Sequence, residues 1–205
     1  MTRVLVAAGL LVFSVAGVTG LASVAHAQVI SEQAPPVFPD PKHFARGFYA
    51  QGELGALVYV GRAGKFAGPG PAFSVRLGYD ILRWLSIQAH VLGSSGQVNI
   101  PGPTDGQSFQ TLVYGGELHG QVQIRRVGLY AEAGAAAAHI PSNVLDDAGI
   151  TGGHKISLAV VAGGGLDFHT LNRHFSFGVG ADYLWLASFS KSSAVTAQAF
   201  LKYTR

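Results

Sequence analysis

From residue 48 to the end of the chain, apolar and polar side chains alternate in twos, in about eight runs whose connections are long and short by turns. A period of two belongs to a strand whose faces meet different surroundings. Strands that cross a bilayer must pair every backbone N–H and C=O without help from water, and only a closed sheet leaves no unpaired edge. The pattern predicts an all-β fold, an eight-stranded antiparallel up-and-down transmembrane barrel.

The first run, residues 48–60, places Phe48, Ala50, Leu54, Ala56, Val58 and Val60 on one face and Tyr49, Gln51, Glu53 and Tyr59 on the other. Residues 61–71 form a Gly/Pro-rich loop, and residues 73–80 a second strand. A tight turn near Leu82 and Arg83 leads into a third strand over 85–91, followed by a long polar loop over 93–108. Residues 109–125 carry the cleanest alternation: Leu112, Tyr114, Leu118, Val122 and Ile124 against Thr111, Glu117, His119, Gln121 and Gln123. Arg125 and Arg126 turn the chain into a fifth strand from Val127, where residues 135–138 suit a helix equally well on propensity alone. A loop over 140–154 precedes strand six (156–168), a short turn at 170–174 precedes strand seven (175–185), and a loop at 188–193 precedes strand eight (195–203).

Ahead of this region, Arg3, an apolar stretch over 4–24 and Ala25-His26-Ala27 read as an export signal cleaved after Ala27. Residues 28–46 hold Pro35, Pro36, Pro39 and Pro41, which fix φ and remove donors, and read as an extended periplasmic leader. The domain plan is therefore signal 1–27, leader 28–46 and barrel 47–205. Past residue 27, Glu132, Lys155 and Asp167 interrupt the most apolar stretches, which disfavours membrane-spanning helices. The chain has no Cys, so disulfides, thiolate metal sites and a Cys nucleophile are excluded. A formal net charge of +3 with scattered basic residues gives no support to nucleic-acid binding. Low charge, 28 Gly and a mean hydropathy of +0.30 without long apolar runs suit strands with one face in lipid.

When the strands are laid up and down, aromatic residues gather at two depths. Phe48, Tyr79, Phe168, Phe175 and Tyr203 fall near the short-turn end; Tyr59, Phe73, Tyr114, Tyr183 and Trp185 fall toward the long-loop end. The export signal, the runs 73–80 and 84–91 across a tight turn, and the final strand 195–203 together resemble the small eight-stranded outer-membrane barrels, the OmpA-like and OmpX-like group. That resemblance implies a bacterial outer-membrane location and a bundle of lumenal charges able to act as a plug or a gate. Members commonly end on an aromatic residue; here Tyr203 is followed by Thr204 and Arg205.

The inward face inferred from the alternation carries Glu53, Arg76, Glu117, Glu132, Asp167, Asp182 and Lys202, with His90, His119 and Gln121 nearby. Arg76 lies at a depth comparable to Glu53 on the adjacent strand, and Glu117 and Glu132 face each other across the Arg125–Arg126 turn. An arginine forked between carboxylates satisfies buried charges and fills the lumen. Gly78, Gly134, Gly163, Gly165, Gly178 and Gly180 fall on the same face and leave room for a narrow channel or small-ligand pocket, or serve only curvature. His139, Ser142, Asp146 and Asp147 lie close in sequence, but their spacing is generic and reads as loop. The His90/His119 and His169/His174 pairs lack metal-ligand spacing, and no cofactor motif is present.

The sequence expectation is a non-enzymatic outer-membrane barrel with a structural or surface-interaction role. Its partners would be outer-membrane lipid, lipopolysaccharide or a protein at the four long connections. A gated channel for ions or small solutes is the alternative, and a secreted lipocalin-like ligand-binding barrel, with its apolar face inward, is a second.

Overall fold

The computed structural model describes residues 46–61, 63–101, 104–140, 156–187 and 192–205. Eight strands close in chain order into one antiparallel barrel: β1 (Phe48–Val60), β2 (Gly70–Asp80), β3 (Leu85–Gln97), β4 (Ser108–Ile124), β5 (Val127–His139), β6 (Ser157–His169), β7 (Phe175–Leu186) and β8 (Ser192–Thr204). The seam is the β1–β8 pairing, which runs from Tyr49 opposite Thr204 to Val60 opposite Ser193. Closure leaves no open edge, so the ladder satisfies the backbone throughout. Among the described residues no helix is long and apolar enough to cross a membrane. The expected signal and leader lie outside the described residues, apart from Arg46.

Side-chain exposure follows the alternation. Leu54, Leu77, Leu118, Leu129, Val179 and Leu201 are all more than half exposed on the outer wall, whereas Glu53, Arg76, Glu117 and Asp182 are buried inside. A barrel in water would not carry so continuous an apolar exterior, and a bilayer accepts it. This arrangement excludes the lipocalin-like alternative, which needs the apolar face inward.

Strands extend into stretches expected to be loop for one physical reason, β8 among them, which starts at Ser192 and not at 195. β3 continues to Gln97, with Ser94 to Gln97 pairing with Thr111 to Ser108, inside the stretch expected to be loop. β2 likewise starts at Gly70. Beyond the apolar zone a strand can keep its ladder while its outward residues turn polar, so composition there imitates a loop. The β2–β3 register ends at Ala72 opposite Ser94; Pro71 has no N–H, and its carbonyl accepts a hydrogen bond from Ser94 Oγ at 3.0 Å. Residues 135–138 are strand, not helix, because β4 and β6 pair with them on both sides. Tertiary pairing overrides alanine's helix propensity.

The short connections sit at one end. The tightest joins Ile124 to Val127, and its first residue, Arg125, has φ 58°. Glycine is the usual occupant of such a left-handed position, and an arginine there costs of order 1–2 kcal/mol. At the opposite end the β1–β2 connection forms a short 3-10 turn over Ala63–Lys65 and folds inward. Backbone bonds from Gly68 to Gln97 and from Asn99 to Phe66, both 2.8 Å, tie it to the end of β3.

Candidate functional site

The interior divides into a charged layer and an apolar layer. Every strand contributes alternate residues to it, so a side chain's height is fixed by register alone. Arg76 projects from β2, opposite Gln51 on β1 and His90 on β3, and is 1% exposed. Its Nη1 lies 3.0 Å from Glu53 Oε1 and 2.6 Å from Glu132 Oε1, its Nη2 lies 2.7 Å from Asp182 Oδ2, and its Nε is 3.6 Å from Glu117 Oε2. One guanidinium thus bridges four strands besides its own. Such a fork is the geometry in which arginine binds carboxylates most tightly.

The carboxylates have further donors. Gln51 Nε2 donates to Glu53 at 2.5 Å, and the Ser74 hydroxyl donates to the same carboxylate. Gln88 Nε2 donates to Glu117 at 2.7 Å and Glu132 at 2.9 Å, while the Tyr49 hydroxyl donates to Gln88 Oε1 at 2.7 Å. His90 Nδ1 lies 2.7 Å from Glu117, and His119 Nδ1 lies 3.3 Å from Glu132. Thr196 Oγ1 and Gln198 Nε2 each reach Asp182 at 3.3 Å. Nearer the short turns, Asp167 gathers Lys202 at 3.8 Å and Gln121 at 3.4 Å, and Lys202 Nζ also lies 4.5 Å from the centre of the Tyr49 ring.

The structure brings Glu53, Arg76, Glu117, Glu132 and Asp182 into one network and sets His119 beside it. Gln121 belongs to the Asp167 group. Glu117 and Glu132 are not directly opposite, as the sequence suggested: Glu117 pairs with Gly134, and Glu132 with His119. They meet through Arg76 and Gln88 instead. Among the described residues no group of three His, Cys, Asp or Glu is arranged to hold a metal ion. His139 lies at the end of β5; Ser142, Asp146 and Asp147 lie outside the described residues.

Space expected at the inward glycines is filled. A Cβ on Gly78 would stand 2.2 Å from the Tyr49 ring, on Gly178 2.4 Å from Phe200, and on Gly180 2.1 Å from the Tyr130 hydroxyl. These glycines are sockets for three large side chains. The interstices among Arg76, Glu53, Tyr130, Asp182 and their neighbours amount to about 150 Å³, none of it wide enough for a water molecule.

Above this network, toward the long connections, the interior turns apolar. Leu57, Leu92, Val98, Phe109, Val113, Val161, Leu184 and Leu186 form one buried cluster, and Ala63 and Ala67 of the inturned connection cap it. Tyr59 belongs here, 4% exposed and bonded through its hydroxyl to Thr111, and not to the outer aromatic girdle in which its sequence depth had placed it. The other aromatics keep their outward positions: Phe48, Tyr79, Phe175 and Tyr203 at one end, Phe73, Tyr114, Tyr183 and Trp185 at the other, with Phe168 partly covered by Phe177. Gln88 and Tyr130 lie on the face that the alternation turns inward, whereas Phe200 and the apolar cluster are the parts of the interior that it did not single out.

Comparison with protein families finds that the model for the outer membrane protein β-barrel domain matches residues 13–202. The chain belongs to this family. The barrel accordingly resides in the bacterial outer membrane, and the apolar exterior is its lipid face. Among solved structures, Neisserial surface protein A (NspA) is similar at a TM-score of 0.56 and 14% identity, over 80% of this chain and 100% of that one. The outer membrane protein OprG from Pseudomonas aeruginosa is similar at 0.57 and 13% identity, over 80% of this chain and 98% of that one. At such identities the likeness is one of fold. A comparison with curated proteins finds no match.

Proposed function

We propose that this family member is a non-conducting, non-enzymatic barrel whose role is structural or one of surface interaction. The observation that carries the reading is the double seal of its lumen. The void enclosed by Arg76, Glu53, Tyr130, Asp182 and their neighbours admits no water molecule, and the apolar cluster from Leu57 to Leu186 stands in series with it. Opening a path for ions would require both the exchange of four ion pairs and the wetting of an apolar layer, and an apolar constriction excludes ions on its own. What remains for interaction is the exterior: the long connections, which meet lipopolysaccharide or a protein partner, and the lipid-facing wall.

Planar-bilayer recording with the refolded full chain tests the reading. Neither wild type nor Arg76→Ala should give unitary currents, because the apolar layer survives the substitution. Reproducible single-channel steps from wild-type protein would overturn it in favour of a gated channel.

A further inference from the structure

The short-turn end of the barrel carries arginine wherever the chain turns or ends. Arg83 stands in the β2–β3 turn, Arg125 and Arg126 form the β4–β5 turn, Arg173 stands in the β6–β7 turn, and Arg46 and Arg205 flank the first and last strands. All six are exposed. Among the described residues, Arg46, Arg83, Arg173 and Arg205 have no carboxylate partner. The acid on this rim, Asp80, is engaged by the Ser86 hydroxyl at 2.7 Å and the Gly47 N–H at 3.3 Å. The long connections instead mix Arg62, Lys65, Lys155 and Lys191 with Asp105, Asp146 and Asp147. Arg125 keeps its place in spite of a left-handed backbone.

Beside this rim the outer wall is hollowed. Ala50, Leu77, Ala89 and Gly116 lie side by side across β1 to β4, and three of these four outward positions are small. They help to form a furrow of about 730 Å³, flanked by Phe48, Tyr79 and Tyr203 and reaching Arg205. Arg205 N–H donates to the Phe48 carbonyl and Asp80 N–H to the Gly47 carbonyl, so Arg46 and Arg205 both stand at the foot of β1. An apolar trough in the lipid-facing wall that reaches Arg205, with Arg46 two residues ahead of β1 and both at the depth of the aromatic belt, fits an amphiphile with one acyl chain and one phosphate.

We propose that this corner binds an anionic phospholipid of the periplasmic leaflet, an acyl chain in the furrow and the phosphate held by Arg205 and Arg46. Short turns face the periplasm in outer-membrane barrels, which fixes the leaflet. Arginine presents the two parallel donors that a phosphate accepts, and a negatively charged leaflet adds attraction for each basic residue near its surface.

The test is native mass spectrometry of the refolded full chain with palmitoyl-oleoyl phosphatidylglycerol against phosphatidylcholine of the same chains. Wild type should retain phosphatidylglycerol preferentially. Arg46→Gln with Arg205→Gln should weaken that retention by about fivefold for each arginine lost and weaken phosphatidylcholine less, because choline already balances that lipid's phosphate. Ala89→Phe, outward and filling the furrow, should lower retention of both lipids. Heat-modifiable gel mobility identical to wild type certifies that each variant is folded. Equal retention of the two lipids by wild type, or a phosphatidylglycerol preference that survives the double substitution in folded protein, would overturn the assignment.

Discussion

Replacing Arg76 by methionine keeps an unbranched side chain about as long as arginine's aliphatic stem and removes the one group that contacts Glu53, Glu117, Glu132 and Asp182 together. The four carboxylates are each no more than 4% exposed by side chain, so solvent cannot take over its role. Breaking a single buried pair by removing one partner costs about 3–5 kcal/mol, and here four acids are left facing one another. The lower bound for Arg76→Met is therefore about 3–5 kcal/mol. In urea unfolding of the refolded barrel in lipid vesicles, with a slope of about 2 kcal/mol/M, the midpoint should fall by roughly 1.5–2.5 M. Trp84 and Trp185, both on the outer wall, provide the fluorescence readout. Adding Glu132→Gln and Asp182→Asn to the methionine variant should recover part of the loss, because each removes a charge that Arg76 no longer balances. A methionine variant within about 1 kcal/mol of wild type would refute the reasoning, since it would mean the cluster is solvated or the acids are not held by Arg76.

Gly178→Ala should destabilise the barrel by about 1–3 kcal/mol, because its Cβ would stand 2.1 Å from the Leu166 carbonyl oxygen and 2.4 Å from Phe200; Gly52→Ala, with nothing within 4 Å, should be neutral in the same urea titration. Val179→Arg, on the outer wall midway between Phe175 and Tyr183, should cost about 2–4 kcal/mol in vesicles, and a neutral result would place that wall away from lipid. Leu184→Ala should cost about 2–5 kcal/mol and still give no current in planar bilayers, since the Arg76 network remains as a second seal.

The strands were legible because lipid imposes one rule on every outward residue, and the polar lumen imposes the opposite rule on its inward partners over the charged half. Glu53, Arg76, Glu117 and Asp182 could be placed inward from period alone. The rule fails where the interior is itself apolar. In Leu184-Trp185-Leu186 three large apolar residues run consecutively, the two leucines buried and the tryptophan outward, and composition cannot say which face is which. Leu57, Leu92 and Val161 were hidden in the same way. The partners of Arg76 were only half readable: Glu53 is on the neighbouring strand, whereas Asp182 lies 106 residues away and meets it only because the barrel closes. Filling of the inward glycines was equally hidden, since Tyr130 reaches Gly180 across the hydrogen-bonded pair β5 and β6 and into β7, a relation that depends on register.

The central claim is that Val179 and its outward neighbours touch acyl chains while the residues between them face a closed interior. Replacing Trp84 and Trp185 by phenylalanine and placing a single tryptophan at Val179 or at Phe200 allows quenching by lipids brominated at mid-chain to read the two faces separately. Strong quenching at position 179 with little at position 200 is the expected result; equal quenching at both positions, or the reverse order, would contradict the account.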